Sequence, residues 1–188
     1  CTSYCSATDR HASMVAGAAR STSTRVAVFA AYAAQGLGYA VVVTSLPALK
    51  QRQGVDDTVV TLIVLGVAIA AAGGSVLANA LAVRFGSRTA LVVGLLLQAA
   101  ALPAIALPTP FPLFVSLFAV YGIGLGCVDA ATAMQGVIVQ RAHGKPLLGG
   151  FFSAYTAAAT AGALLVSAIA ASPFAAGVAI GTAGVAIL

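Results

Sequence analysis

Four long stretches of the sequence contain no charged residue. They cover residues 26–49, 58–83, 89–128 and 146–188 of the 188-residue chain. An α-helix rises about 1.5 Å per residue, so about 20 apolar residues cross a hydrocarbon core about 30 Å thick. Each stretch is long enough for at least one crossing. Because a helix satisfies its backbone hydrogen bonds within its own segment, the sequence predicts an all-α membrane protein.

The composition excludes a water-soluble globule. Charged residues make up 7% of the chain and hydrophobic residues 61%, whereas a soluble domain carries roughly 25% charged residues. The net charge is +5, but the nine Lys and Arg residues are scattered and form no single basic stripe, which argues against nucleic-acid binding. The expected partner is therefore the lipid bilayer, with no nucleic acid.

Prolines divide the two longest stretches. Four of them interrupt the third stretch, and the Ser172-Pro173 pair in the last stretch is typical of a helix start. The fold class expected is six transmembrane helices, the sixth cut short. The predicted spans are 25–49, 58–82, 89–107, 113–140, 147–171 and 174 onward.

The distribution of basic residues predicts the orientation. With a cytoplasmic N-terminus, seven Lys and Arg residues fall on the inner side and two on the outer side, which satisfies the positive-inside rule. We therefore expect a multi-pass protein of the inner, cytoplasmic membrane with residues 1–24 as a cytoplasmic tail. Because the sequence begins with Cys1, Met14 is the expected initiator and residues 1–13 are expected to be upstream translation. Asp56 and Asp57 precede the second span, where acids favour a helix start.

Asp129 is the one acidic residue within the predicted spans. An isolated acid inside a span costs roughly 2.5 to 3.5 kcal/mol on insertion scales, so it should face a cavity or a polar partner. Two interpretations stay open. Asp129 is a ligand for a substrate or a proton, or it is a packing residue hydrogen-bonded to a neighbouring span.

Span one carries a polar stripe at helical spacing, formed by Tyr32, Gln35 and Tyr39. Such a stripe either lines an aqueous path or joins two helices through modest interhelical hydrogen bonds. Further candidates are Gln135 and Tyr155, together with Gln140. Gln98 is a further candidate, and of these four residues it is the one most expected to be a packing residue.

A run of small residues in span four does not indicate a nucleotide site. Gly122, Gly124 and Gly126 lack the spacing and the preceding strand of a dinucleotide fingerprint. Inside a span, small residues allow close approach of another helix, and the same holds for residues 73, 74 and 78 of span two. The spans contain one acid, no His and no Lys. We therefore expect no enzyme, no metal and no cofactor.

The turn after span two reads LANALAVRFGSRTALVVG. It resembles the loop 2–3 signature of the major facilitator superfamily, roughly G-x-x-x-D-R-x-G-R-R. Arg84, Gly86 and Arg88 match this pattern, and Asn79 stands at the position of the first Gly. Val83 and Ser87 replace the Asp and one Arg. The resemblance implies that this turn helps to hold a cytoplasmic gate.

Span four and the loop after it resemble a fucose-permease-like bacterial branch of the same superfamily. That branch has G-x-G-x-G-x-x-D-x-A, then Q-G, then a basic loop that ends in G-[RK]-P. Here Ala133, Phe152 and Phe118 stand where the branch or the superfamily often has Asn, His and Arg. The matching residues are Gly122, Gly124, Gly126, Asp129, Gln135, Gly136, Gly144, Lys145 and Pro146.

The resemblance covers residues 25–188, as the N-terminal half of a fold built from two six-helix halves. It implies secondary transport of a small organic solute by alternating access, with the solute held between the halves. Spans one and four would line the cavity, and a proton is a candidate coupling ion. The expected partner is a C-terminal half or a second copy of the chain. The alternatives are a non-transporting membrane scaffold and a half-size transporter that acts as a dimer.

Overall fold

The structure is a computed structural model that describes residues 2–143 and 146–170, including the side chains of 24–142 and 146–168. This part of the chain is helical and contains no strand. The predicted sixth span, from residue 174 onward, lies outside it. The five helices are α1 (Thr2–Gln53), α2 (Asp57–Phe85), α3 (Ser87–Ala106), α4 (Phe111–His143) and α5 (Leu148–Ala170).

All five helices are long and apolar enough to cross a membrane. The predicted bounds of the first five spans agree with the observed ones within a few residues, because charges and prolines mark the ends of the apolar stretches. The α1 helix begins at Thr2, so the backbone of the predicted tail continues the first span as helix. The apolar segments are Thr24–Gln53, Asp57–Phe85, Ser87–Ala106, Phe111–Ala142 and Leu148–Ala168.

Two short connections show how local sequence sets the helix ends. Asp56 is the N-cap of α2, and its carboxylate accepts a hydrogen bond of 2.9 Å from the backbone N–H of Val59. Asp57 pairs with Lys50 at the end of α1. The capping role is therefore confirmed for Asp56, whereas Asp57 is an acid in the first turn of α2 that pairs with Lys50. At the other end of α2, Gly86 alone separates α2 from α3.

Gly86 has φ +89° and ψ 152°, a backbone conformation that is essentially restricted to glycine. Its N–H donates to the carbonyl of Ala82, and its own carbonyl accepts from the N–H of Thr89. The chain can therefore reverse direction between two membrane-length helices with one residue. This explains in physical terms why the signature in this turn contains a glycine.

The α4 helix is the centre of the bundle. It packs on α2 and α3, whereas α1 packs mainly on α5 and contacts α4 along one side. Close approach depends on glycine: a Cβ at Gly74 would collide with the backbone of Ile123, and one at Gly126 with the backbone of Ala71. Gly122 and Gly124 also face neighbouring helices, but Gly73 faces open space. The predicted packing role of the small residues thus holds for all of these except Gly73.

Arg52 joins the end of α1 to the end of α3. Its guanidinium donates to the carbonyls of Ile105 and Ala106, at 2.6 and 2.7 Å, and lies 6.0 Å from the ring centroid of Phe114. The last carbonyls of a helix have no partner within the helix, and a cation there interacts favourably with the helix dipole. Arg52 therefore caps α3 from a neighbouring helix.

Replacement of Arg52 by methionine is expected to lower the free energy of unfolding by about 1 to 2 kcal/mol. The guanidinium hydrogen bonds are lost, while most of the apolar stem remains. Thermal unfolding of the purified protein in detergent measures the effect. Lys50→Met, which removes an exposed ion pair, is the control and should change stability by at most about 0.5 kcal/mol. Equal effects of the two variants would contradict the capping role.

Candidate functional site

A cavity of about 410 Å³ opens between α1, α4 and α5. The α5 helix contributes two aromatic side chains, one of which carries a hydroxyl group, and α1 and α4 contribute an amide, a carboxyl and hydroxyl groups. Asp129, the single acidic residue from position 58 to 188, is exposed at this cavity. The lining residues are Tyr32, Gln35, Asp129, Thr132, Ala133, Phe152 and Tyr155.

A chain of hydrogen bonds connects Asp129 to the interior of the bundle. The Nε2 of Gln35 donates to Oδ1 of Asp129 at 2.9 Å. The Nε2 of Gln98, on α3, donates in turn to Oε1 of Gln35 at 2.8 Å. Both glutamines are buried, with exposed fractions of 2% and 0%. The carboxyl group thus combines a hydrogen bond to a fixed amide with access to the cavity.

Aromatic packing holds α5 against α1 beside the carboxyl group. Tyr32 stacks on Phe151, with ring centroids 5.6 Å apart and planes 14° apart. Phe152 meets Tyr32 edge-on, also at 5.6 Å. Tyr155 comes close to α1 because Gly36 has no side chain: a Cβ there would collide with the carbonyl of Tyr155. These contacts position the α5 side of the cavity.

The structure brings four of the six predicted binding residues to one cavity: Tyr32, Gln35, Asp129 and Tyr155. Tyr39 lies one turn beyond Gln35 on α1, is 44% exposed and does not line this cavity.

Gln135 faces a different neighbour from Asp129. Its Nε2 donates to Oγ of Ser87 at 3.0 Å, so it ties α4 to the start of α3. Gln135 lines a second cavity of about 370 Å³ together with Arg88 and Thr24. The spacing of six residues between Asp129 and Gln135 explains the separation, because side chains on one helix face recur at intervals of three or four.

Three cavity residues were not among the predicted binding residues: Thr132, Ala133 and Phe152. Thr132 follows Asp129 by three positions, and Phe152 precedes Tyr155 by three, so helical spacing from the predicted residues could have found both.

The role expected for Gln98 was packing. The structure shows a buried side chain that also donates a hydrogen bond to Gln35. Phe118 lies in the apolar core and is 2% exposed.

The predicted gate residues occupy the turn between α2 and α3. Arg84 and Arg88 are exposed and flank Gly86, and Asn79 is exposed near the end of α2. These side chains lie apart from the Asp129 cavity and do not line it. The turn contains Gly86 in a positive-φ conformation that favours glycine.

The described helices are apolar and of membrane length, pack closely at glycines, and place one acid at a cavity, which defines a multi-pass membrane protein. The family model of the Major Facilitator Superfamily matches residues 28–188. The chain therefore belongs to the major facilitator superfamily.

A curated relative gives the same assignment. The chain is 30% identical over 154 residues to an uncharacterised MFS-type transporter of Yersinia pestis. The match includes 81% of this chain and 39% of that protein, so the chain spans about two fifths of the relative's length. No solved structure matches the chain.

Proposed function

We propose that this chain forms the N-terminal half of a secondary transporter, and that a small organic solute binds in the Asp129 cavity during alternating access. The observation that carries the proposal is the placement of the single intramembrane acid. Such a residue is costly inside a bilayer and is expected to mark a substrate or ion pathway. Here it is exposed at a cavity of about 410 Å³ instead of being enclosed in the bundle.

The lining of the cavity suggests the chemistry of the solute. Asp129 offers a carboxyl oxygen, Tyr155 a hydroxyl group, and Phe152 an aromatic surface that is 57% exposed. A molecule that combines hydroxyl or amino groups with an apolar face satisfies all three, because a polar group in such a pocket needs a hydrogen-bond partner. This description includes sugar-like solutes and amphipathic metabolites or drugs. A proton taken up by Asp129 is the proposed coupling ion.

The rest of the proposal follows from the family. The N-terminus is cytoplasmic in the inner membrane, and a sixth helix from residue 174 completes the half. A second half, or a second copy of the chain, closes the cavity on its open side. Asn79, Arg84, Gly86 and Arg88 then belong to a cytoplasmic gate, where the arginines reach helix ends or acids of the other half.

Filling the cavity tests the function. Ala133 is exposed on the cavity wall, and Ala133→Trp is expected to reduce saturable uptake roughly tenfold or more, because the indole occupies the space for the solute. The assay uses proteoliposomes that contain the complete gene product. The probes are a panel of radiolabelled hexoses, organic acids and amphipathic cations, each with and without a proton gradient.

Ala100→Trp is the matched control, because Ala100 is exposed on α3 and outside this cavity. It should retain uptake. If Ala133→Trp transported as well as the parent, the solute would not bind in this cavity. If no probe were taken up in any gradient, the scaffold alternative would replace the transporter.

A further inference from the structure

Gln98 is a fully buried polar residue that does not line the Asp129 cavity. It lies on α3. Gly124 of α4 lies directly against it: a Cβ at Gly124 would come within 3.0 Å of Cγ of Gln98. The missing side chain on α4 therefore makes room for a polar side chain on α3 in the middle of the bundle.

The hydrogen bonding of Gln98 is one-sided. Its Nε2 donates to Gln35, but its Oε1 is buried and has no hydrogen-bond partner among the residues that the structure describes. A residue whose role was to fill space would be apolar here, because a buried oxygen without a partner destabilises the fold. The buried oxygen of Gln98 therefore lowers the stability of the fold, and the hydrogen bond from Gln98 to Gln35 must offset this loss.

The amide of Gln35 has a donor end and an acceptor end of nearly the same shape. Either end could face Asp129. The donor of Gln98 occupies the acceptor end, at 2.8 Å, so the donor end of Gln35 faces the carboxyl group, at 2.9 Å. With the amide reversed, two oxygens would face each other at Asp129 and two N–H groups would face each other at Gln98.

We propose that Gln98 is a positioning residue that fixes the orientation of the Gln35 amide and thereby holds Oδ1 of Asp129. The other carboxyl oxygen remains for the solute. The role of this carboxyl in transport rests on the proposed function, whereas the orientation itself does not. Gln98 reaches the cavity only through Gln35, by two side-chain hydrogen bonds, the first from α3 to α1 and the second from α1 to α4.

Chemical labelling of Asp129 tests this without a solute. Dicyclohexylcarbodiimide is an apolar reagent that is attacked by carboxyl groups inside membranes. A hydrogen bond donated to one carboxyl oxygen withdraws electron density from the whole group, so its loss makes the carboxyl a better nucleophile and raises the labelling rate. The complete protein in membrane vesicles is labelled for increasing times, and mass spectrometry of the peptide that contains Asp129 gives the rate. Gln98→Met keeps an unbranched side chain against Gly124 and removes the donor.

Gln98→Met and Gln35→Met are each expected to raise the labelling rate roughly tenfold, about 1.4 kcal/mol, the scale of one lost hydrogen bond. The double variant should label no faster than either single variant, because both changes release the same hydrogen bond to Asp129. In Gln98→Asn the side chain is one methylene shorter, so its amide no longer reaches Gln35. This variant should label like Gln98→Met, and it provides the test if Gln98→Met fails to fold.

Gln135→Met is the matched control, because Gln135 also joins α3 and α4 through an amide hydrogen bond, to Ser87. It should label Asp129 at the parent rate. A parent rate in Gln98→Met and Gln98→Asn, or rates that multiply in the double variant, would overturn the proposal. Faster labelling in Gln135→Met would do the same by showing general loosening. Absence of transport would overturn the proposed function and leave this measurement valid.

Discussion

Replacing Asp129 with asparagine is expected to reduce solute transport roughly 10- to 100-fold while leaving the protein in the membrane. Asparagine has nearly the same shape and keeps an oxygen that accepts the hydrogen bond of Gln35. The variant lacks the charge, and hydrogen bonds to charged groups contribute about 1.5 to 3 kcal/mol. Initial uptake rates in proteoliposomes, normalised to the amount of reconstituted protein, give the result.

Asp57→Asn is the control for this experiment. Asp57 is also an acid, but it is exposed at the start of α2 and pairs with Lys50 on the surface. Its replacement should change transport little, since exposed ion pairs contribute at most about 1 kcal/mol. Full transport by the Asp129→Asn protein would remove the carboxylate from the mechanism. It would leave the helix-packing interpretation of Asp129.

The second large effect is expected from valine at Gly74. This glycine lies where α2 crosses α4, and any Cβ there collides with the backbone of Ile123. A backbone atom cannot move aside as a flexible side chain does, so the two helices must separate. We expect a loss of more than about 3 kcal/mol of stability, enough to prevent purification of a monodisperse protein.

The adjacent residue provides a matched control for this substitution. Gly73 lies on the same helix, one position earlier, and a Cβ there meets no atom within 4 Å. Gly73→Val should therefore be purified in nearly normal yield and unfold within about 1 kcal/mol of the parent. Size-exclusion chromatography and thermal unfolding compare the two proteins. Similar behaviour of both variants would show that α2 and α4 are not in close contact at Gly74.

The first five membrane spans could be predicted from the sequence because residues close to each helix end determine where the helix begins and ends. Charged residues end the apolar stretches, Gly86 permits the turn after α2, and Asp56 caps the start of α2. Each of these effects acts within a few residues. The pairing of helices is not local: many small residues allow close approach, and only the assembled structure shows that Gly36 meets α5 and that Gly73 meets nothing.

The candidate site was predictable on α1 and α4 and less so on α3 and α5. Asp129 could be predicted because a carboxyl group in an apolar span is costly and therefore indicates a function or a polar partner. Gln35 could be predicted because it lies at helical spacing from Tyr32. Gln98 resembles any isolated polar residue in sequence, since its role depends on the distance from α3 to α1. Gln135 was predicted to bind the solute or a proton, but its rotation about the α4 axis directs it to Ser87.

The hydrogen bond between Gln35 and Asp129 has a consequence for the biosynthesis of the protein. The ribosome makes α1 and α3 before α4, so both glutamines precede Asp129 in the order of synthesis. An acid near the centre of a helix adds roughly 2.5 to 3.5 kcal/mol to the free energy of its insertion into the bilayer. Its amide partner is already part of the chain when α4 emerges. The order of the helices thus allows Asp129 to find its partner on a helix that is already inserted.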